Sequence, residues 1–233
     1  MVNINTVYQT VLALANKEQR GYITPQEFNL FANQAQMSIF EQYFYDLNQF
    51  LRVPGNNTAY ADMVNLLEEK ISLFEKTNAT VDGGNTLPFD LYKLEHVQWL
   101  NPSKSRYYTA DYVDTKTWLQ MQDISLVKPT DTKLVYIRNK STISVIGDTV
   151  KNVNVICNYI SKPLTPSWTY VVVNKKALYN ANASDHQHFE LHESEQTELV
   201  TRILALAGIT LKDTNLFQIA SSQTNSQIQQ QKQ

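Results

Sequence analysis

The first eighty residues carry apolar side chains at intervals of three and four, the spacing that places them on one face of an α-helix. This spacing predicts a short amphipathic helix over 2–15, a long helix from 25 to about 51, and a third helix over 60–74. The apolar stripe of the long helix consists of Phe28, Phe31, Ala35, Ile39, Tyr43, Leu47 and Phe50, widened by Phe40 and Phe44. We therefore expect a three-helix bundle over 1–80, with a spine on the order of 40 Å at roughly 1.5 Å per residue.

The start of the long helix is marked by a capping box. Thr24 stands at the N-cap, Pro25 at the first helical position and Glu27 at the third, so side chains satisfy the first free backbone N–H groups. Residues 16–27 also mimic a calcium-binding EF-hand loop, with glycine at its sixth position and glutamate at its last. Because Arg20 puts a cation at a ligand position, we interpret the segment as a turn and a helix cap without calcium.

Between 87 and 173 the apolar pattern changes to alternation, and β-branched and aromatic residues become frequent. Strands are predicted over 91–99, 133–138, 142–146, 152–160 and 168–173, with a hairpin loop at Asn139-Lys140-Ser141. Five or more short strands separated by turns predict an antiparallel sheet or a small barrel. We place this β domain at 81–182, inserted between helices that pack together.

The helical spacing returns near the C-terminal end. Ser194 caps a helix predicted over 195–207, whose apolar side carries Leu199, Ile203, Leu204 and Leu206, and Gly208 is expected to stop it. The predicted fold class is therefore α+β. A returning strand or loop and this helix, over 183–208, complete the N-terminal bundle.

The last 25 residues, 209–233, combine a few apolar side chains with a glutamine-rich tract of almost no charge. Such a segment has too few apolar side chains to form a core, but enough to favour burial against a partner. We expect an extended tail that docks on a neighbouring subunit or a larger partner. The predicted docking residues are Ile209, Leu211, Leu216, Phe217, Ile219, Gln227 and Gln230.

Composition and charge exclude several classes of protein. With 233 residues, 42% of them hydrophobic, the chain can bury a core in one large or two small domains. The 20 basic and 22 acidic residues leave a net charge of −2, which gives no electrostatic basis for tight nucleic-acid binding. The single cysteine, Cys157, excludes an internal disulfide framework. The N-terminus resembles neither a signal peptide nor a membrane span, so we expect no membrane association and synthesis in a cytoplasm.

The sequence offers little that is typical of an enzyme. None of its six glycines forms a phosphate-binding loop or a nucleophile elbow. His186, His188, Glu190 and His192 alternate, so an extended conformation would put them on one face, where they are weak candidates for a zinc site. Because no general base and no supporting residues accompany them, we predict no bound metal, no cofactor and no catalytic activity.

Three runs of the chain resemble the ring or neck proteins of short-tailed bacteriophages, especially crAss-like phages and their relatives. They are VYQTVLALANKEQRGYITPQEFNLFANQAQMSIFEQYFYDLNQF (7–50), YISKPLTPSWTYVVVNKKALYN (159–180) and FELHESEQTELVTRILALAGITLKD (189–213). Together they cover more than a third of the chain. The resemblance lies in the general pattern of residue types and in the order of elements. Because it includes no chemical motif, no contact residue of the family can be assigned to a position in this chain.

The resemblance implies a virion structural protein of the head-to-tail connector, assembled in the host cytoplasm. Portal adaptors of this class have a helical bundle interrupted by a β region, and usually twelve copies form a ring beneath the portal. Their C-terminal segment docks on the portal, other tail or ring proteins adjoin them, and DNA passes through without sequence-specific binding. The alternative is a binding module of the tail or virion surface, whose β insert recognises a partner or a carbohydrate. Particle mass separates the two hypotheses, since only the first predicts large homomeric rings.

Overall fold

The chain forms two compact units. The first comprises Met1–Leu73 and the chain from Pro163 onward, and the second is Phe74–Lys162. The computed structural model describes residues 1–17, 23–52, 58–81, 85–102, 104–124, 126–148, 150 and 154–210. Within these ranges, no helix is long and apolar enough to cross a membrane.

Helices open and close the described chain, and strands lie between them. In chain order the elements are α1 (Ile4–Lys17), α2 (Pro25–Arg52), α3 (Thr58–Ser72), β1 (Glu75–Thr80), β2 (Leu91–Asn101), β3 (Arg106–Tyr112), α4 (Thr115–Asp123), β4 (Leu134–Asn139), β5 (Thr142–Ile146), β6 (Val155–Ser161), β7 (Tyr170–Val173), β8 (Lys176–Tyr179) and α5 (Gln196–Thr210). A short 3₁₀ helix, Glu193–Glu195, precedes α5. The fold class is α+β, as predicted.

The first unit is built around the long helix α2, which packs against α3 and α5, while α1 packs against α5. Phe28, Ile39 and Phe40 of α2 are fully buried, and so are Leu199 and Ile203 of α5. Full burial of a side chain of this size stabilises the fold by about 1.5–3 kcal/mol. The apolar stripe that predicted α2 therefore does face the core of this unit.

The predicted capping box is confirmed at the start of α2. The Thr24 backbone N–H donates to Glu27 Oε2 at 2.9 Å, and the Glu27 N–H donates to Thr24 Oγ1 at 3.3 Å. These backbone and side-chain hydrogen bonds from Thr24 lower the pKa of Glu27. The cap determines the residue at which α2 begins, and the apolar stripe of the helix starts directly after it.

Two amide side chains of α2 hold the segment that precedes α5. The Asn29 side chain makes two hydrogen bonds with the backbone of Trp168: Nδ2 donates to the carbonyl at 3.2 Å, and Oδ1 accepts from the N–H at 2.8 Å. Gln36 is completely buried; it donates to the Leu164 carbonyl at 2.8 Å and accepts from the Glu190 N–H at 3.2 Å. Buried polar groups are stable only when they are paired in this way.

The second unit contains a six-stranded sheet in the order β1-β6-β2-β3-β4-β5. Neighbouring strands are antiparallel except β3 and β4, which run parallel and are joined through α4. Among the described residues the sheet stays open, with β1 and β5 at its edges. The prediction of a purely antiparallel sheet or a barrel is therefore wrong, because a parallel pair needs a crossover connection and the sequence reading contained none.

Several predicted boundaries are corrected by the structure. The inserted unit begins at Phe74 and ends at Lys162 rather than spanning 81–182, because β1 follows α3 almost directly and the β7–β8 pair belongs to the helical unit. The last helix runs to Thr210, two residues past Gly208, its predicted stop. The loop at 139–141 is confirmed, since Asn139 pairs with Thr142 across it.

Candidate assembly surface

The four alternating residues that were weak candidates for a zinc site do not form one ligand set. His186 Nε2 lies 2.7 Å from the Tyr179 hydroxyl, and His188 Nδ1 accepts from the Ile4 N–H at 3.3 Å. The two imidazole rings meet edge to face, with centroids 4.5 Å apart. Burial, the neighbouring His186 and the N-terminal amino group all lower the pKa of His188.

The other two members make bonds elsewhere. Glu190 Oε2 accepts from the Leu164 N–H at 2.7 Å, and the His192 side chain caps the short 3₁₀ helix by accepting from the Ser194 N–H at 3.3 Å. No group of three His, Cys, Asp or Glu side chains that could hold a metal occurs in the described part of the chain. These residues serve to tie the segment before α5 to its neighbours, and the absence of a metal stays a prediction.

The predicted docking residues lie at or beyond the end of the described chain. The backbone of Ile209 belongs to α5. The remaining predicted docking residues fall outside the described residues: Leu211, Leu216, Phe217, Ile219, Gln227 and Gln230. Tail docking therefore stays a prediction.

A surface that the sequence did not reveal is the β7–β8 hairpin. Tyr170 pairs with Tyr179, and Val173 with Lys176, around a two-residue turn. Asn174 and Lys175 both have positive φ, 50° and 62°, as a type I′ turn requires. No third strand joins this pair among the described residues. A two-stranded hairpin has little stability of its own, so its base must be anchored.

Aromatic stacking provides that anchor. The Trp168 ring lies 5.8 Å from the ring centroids of both Tyr170 and Tyr179, nearly parallel to each, and 4.3 Å from that of Tyr8 in α1. The buried Trp168 also donates from Nε1 to Asn5 Oδ1 at 3.1 Å. The hairpin base is thereby fixed to α1 and α2.

One face of the hairpin is apolar and open to solvent. Strand alternation and the register put Val171, Val173, Leu178 and Lys176 on the same side, and we call this side the hairpin face. Val171 is 50% exposed, Val173 46% and Leu178 52%. A run of valines is typical of a buried strand. Here the valines lie on a strand pair that no third described strand joins, and Lys176 and Leu178 of its second strand line a cavity of about 520 Å³ together with Gln9 and Leu12 of α1.

A second surface lies at the other end of α2. Phe50 of α2 and Met63, Leu66 and Leu67 of α3 line a cavity of about 280 Å³, which we call the α2–α3 groove. Leu67 is buried at its floor, whereas Leu66 is 51% exposed. The groove is therefore apolar and accessible along α3.

Charges around the groove are unequal. The Lys70 ammonium, one of its lining groups, lies 2.6 Å from the buried carboxylate of Glu195, which offsets its charge. Asp46 lines the groove and accepts from Gln42 Nε2 at 2.9 Å, and Glu69 is exposed on the rim. The groove thus presents apolar walls with two carboxylates, Asp46 and Glu69, and His192 and Ser194 complete its polar lining.

A polar network supports the helices behind the groove. Arg202 pairs with Glu198 one turn earlier in α5 and bonds Ser38 of α2. Burial raises the pKa of Glu198, and the nearby Arg202 opposes that rise. The Tyr43 hydroxyl, by contrast, is buried with no hydrogen-bond partner among the described residues.

No protein-family model matches the chain, and no curated protein matches its sequence.

Proposed function

We propose that the protein is a structural subunit of a ring in the head-to-tail connector of a short-tailed bacteriophage. In this proposal, copies of the chain assemble beneath the portal, dock on it through the C-terminal tail and leave a passage for DNA. The resemblance of three runs of the sequence to ring and neck proteins supports the virion setting. The net charge of −2 suits a channel through which DNA moves without being held.

The observation that carries the assembly part of the proposal is the half-exposed hairpin face. A monomeric protein gains nothing by holding Val171, Val173 and Leu178 together in water, because each would be more stable if buried. Apolar groups gathered on one face and surrounded by polar residues are typical of protein–protein contacts. This exposure is explained if neighbouring subunits bury the hairpin face in the assembly.

The test is the mass of the purified full-length chain, measured alone and after mixing with portal-bearing heads. The proposal predicts large homomeric particles, or binding to the heads in a fixed ratio to the portal. A chain that stays monomeric and does not bind the heads would contradict it.

The alternative function, a binding module for a partner or a carbohydrate, is favoured by aromatic side chains of the second unit. Tyr112 of β3 is exposed and lies 5.6 Å from the Tyr136 ring, and Arg106 lies over Tyr108 at 5.7 Å. Aromatic faces of this kind can stack on sugar rings. A small oligomer that binds a glycan, with the binding lost in Tyr112→Ala, would favour this alternative over the ring.

A further inference from the structure

We propose that the β7–β8 hairpin of one subunit inserts into the α2–α3 groove of a second copy of this chain. The contact is heterologous, because the surface that one subunit contributes differs from the surface that the second subunit contributes. This inference rests on the proposed function in one respect, because it assumes that subunits joined by this contact close into a ring. The geometry and chemistry of the helical unit support the contact itself.

The hairpin and the groove lie far apart in one subunit. The base of the hairpin is held at Asn29 through Trp168, whereas the groove lies at Asp46 and Phe50. Asn29 and Asp46 are about 17 residues apart in α2, which corresponds to roughly 26 Å of helix. A strand of four residues spans only about 13 Å. The hairpin therefore cannot fill the groove of its own chain, so these two surfaces can meet only between two copies.

The hairpin face and the groove both present apolar surface. On the hairpin face, Val171, Val173 and Leu178 are each about half exposed. The groove presents Phe50, Met63 and Leu66 around a cavity. Inserting aliphatic side chains into an apolar cavity removes both surfaces from water, and this burial drives the association.

The hairpin tip and the groove rim carry opposite charges. Lys175 and Lys176 are exposed at the hairpin tip, next to the valines. Glu69 is exposed on the groove rim and Asp46 lies inside it, while the Lys70 charge is offset by Glu195. Exposed pairs of this kind add little affinity, but they select the orientation in which the hairpin enters.

The two surfaces also determine the symmetry of the assembly. In a two-fold dimer the same patch meets itself, whereas here a hairpin must meet a groove, so the pair formed by the first contact still has one free hairpin and one free groove. Such a contact continues until the last subunit meets the first. A closed ring is the natural product when the rotation per contact divides a full turn.

The decisive experiment mixes two variants that are blocked on opposite surfaces. Val171→Asp places a carboxylate on the hairpin face and Leu66→Asp places one in the groove; both positions are about half exposed, so folding should survive. Each variant alone should sediment as a monomer. An equimolar mixture should give a one-to-one heterodimer, because the intact hairpin of one can enter the intact groove of the other. Leu30→Asp, at a more exposed leucine of α2, is the matched control and should assemble like the wild type.

A disulfide ladder provides a second measurement. The double variant Val173→Cys, Leu66→Cys should form covalent dimers, trimers and larger chains on oxidation, whereas either single variant should not cross-link. The native Cys157 does not compete, since it is buried and that burial raises the pKa of its thiol to about 11. Cross-linking by a single variant would indicate a two-fold contact and overturn the proposal.

The outcomes separate this inference from the proposed function. If the wild type forms rings and Val171→Asp forms them equally well, the hairpin contact is refuted while the ring function stands. If the wild type stays monomeric at every concentration and on portal-bearing heads, both fail. Because exposed pairs add little affinity, Lys176→Glu should weaken assembly only slightly, and Glu69→Lys on the second copy should restore the lost part. Failure of this exchange to restore it would count against the predicted charge pairing.

Discussion

Replacing Tyr43 with phenylalanine should stabilise the protein, although it removes a polar group from the core. The Tyr43 side chain is 4% exposed, and its hydroxyl has no hydrogen-bond partner in the part of the chain that the structure describes. Burial, with the carboxylates of Glu195 and Glu198 adding to it, raises the pKa of this hydroxyl, so it is neutral at any ordinary pH.

The magnitude follows from the cost of a buried unpaired donor, about 1–3 kcal/mol. Phenylalanine removes that cost and keeps the ring, including its position 5.6 Å beneath the Lys70 ammonium. Loss of one atom leaves a small void that offsets part of the gain. We expect a net increase of about 1 kcal/mol in the free energy of unfolding, or roughly 2–4 °C in melting temperature for a chain of this size.

The matched control is a second buried tyrosine whose hydroxyl is paired. Tyr159 donates to Asp90 Oδ1 at 2.9 Å. Burial favours the neutral form of Asp90, but hydrogen bonds from Lys76 and Tyr159 outweigh it and lower the pKa of this carboxyl. Tyr159→Phe should therefore cost about 1.5–3 kcal/mol, the value of a hydrogen bond to a charged group.

The assay is urea unfolding of both variants, followed by circular dichroism. If Tyr43→Phe destabilised the protein as much as Tyr159→Phe, the Tyr43 hydroxyl would have a hydrogen-bond partner in solution, and our account of the core behind the groove would be wrong.

Four further changes test other parts of the account. Thr24→Ala should cost about 1 kcal/mol by removing the cap of α2. Ile39→Asp should cost several times more in the same urea unfolding assay, since its carboxylate would be buried without a partner; equal losses would mean that the buried face is misassigned. His188 has a folded-state pKa below its ordinary 6.5, so the unfolded chain binds more protons and stability should fall as pH drops below about 6.5. His188→Asn keeps an acceptor for the Ile4 N–H and should flatten that part of the stability–pH curve; an unchanged curve would exclude His188 as its source. A chain truncated after Thr210 should keep its circular dichroism and cooperative melting and lose attachment to portal-bearing heads, and retained attachment would show that docking uses another surface.

The elements predicted correctly are those whose signals are local. The Thr24–Glu27 box and the three-and-four spacing from Phe28 onward determine α2, because cap bonds and one buried face act within a few turns of helix. Strand β5, Thr142–Ile146, and the loop before it follow equally well from alternation and turn residues.

The missed elements depend on distant parts of the chain. Strand β3 pairs with β4 only because α4 carries the chain back in parallel, and no local pattern specifies that pairing. The start of α4 did carry a signal, since Asp114 Oδ1 accepts from the Thr117 N–H at 3.0 Å as an N-cap. Short helices with one cap and few apolar residues are easily read as loops.

The candidate assembly surface was hidden for a related reason. The run Tyr170–Val173 is apolar and β-branched, which predicts a buried strand, and only the arrangement in space shows that its partner is a single short strand. The groove forms from residues of α2 and α3 whose exposure depends on how the helices pack. The alternating histidines show that a regular spacing need not gather side chains at one site, since they make separate hydrogen bonds with Tyr179, Ile4 and Ser194.

The most direct test of the central claim is electron microscopy of the purified full-length chain, alone and on portal-bearing heads. The account predicts closed rings of one diameter, in which density for the hairpin of each subunit lies in the α2–α3 groove of the next. Fields of single subunits or two-fold dimers, with heads that remain bare at the portal, would contradict it.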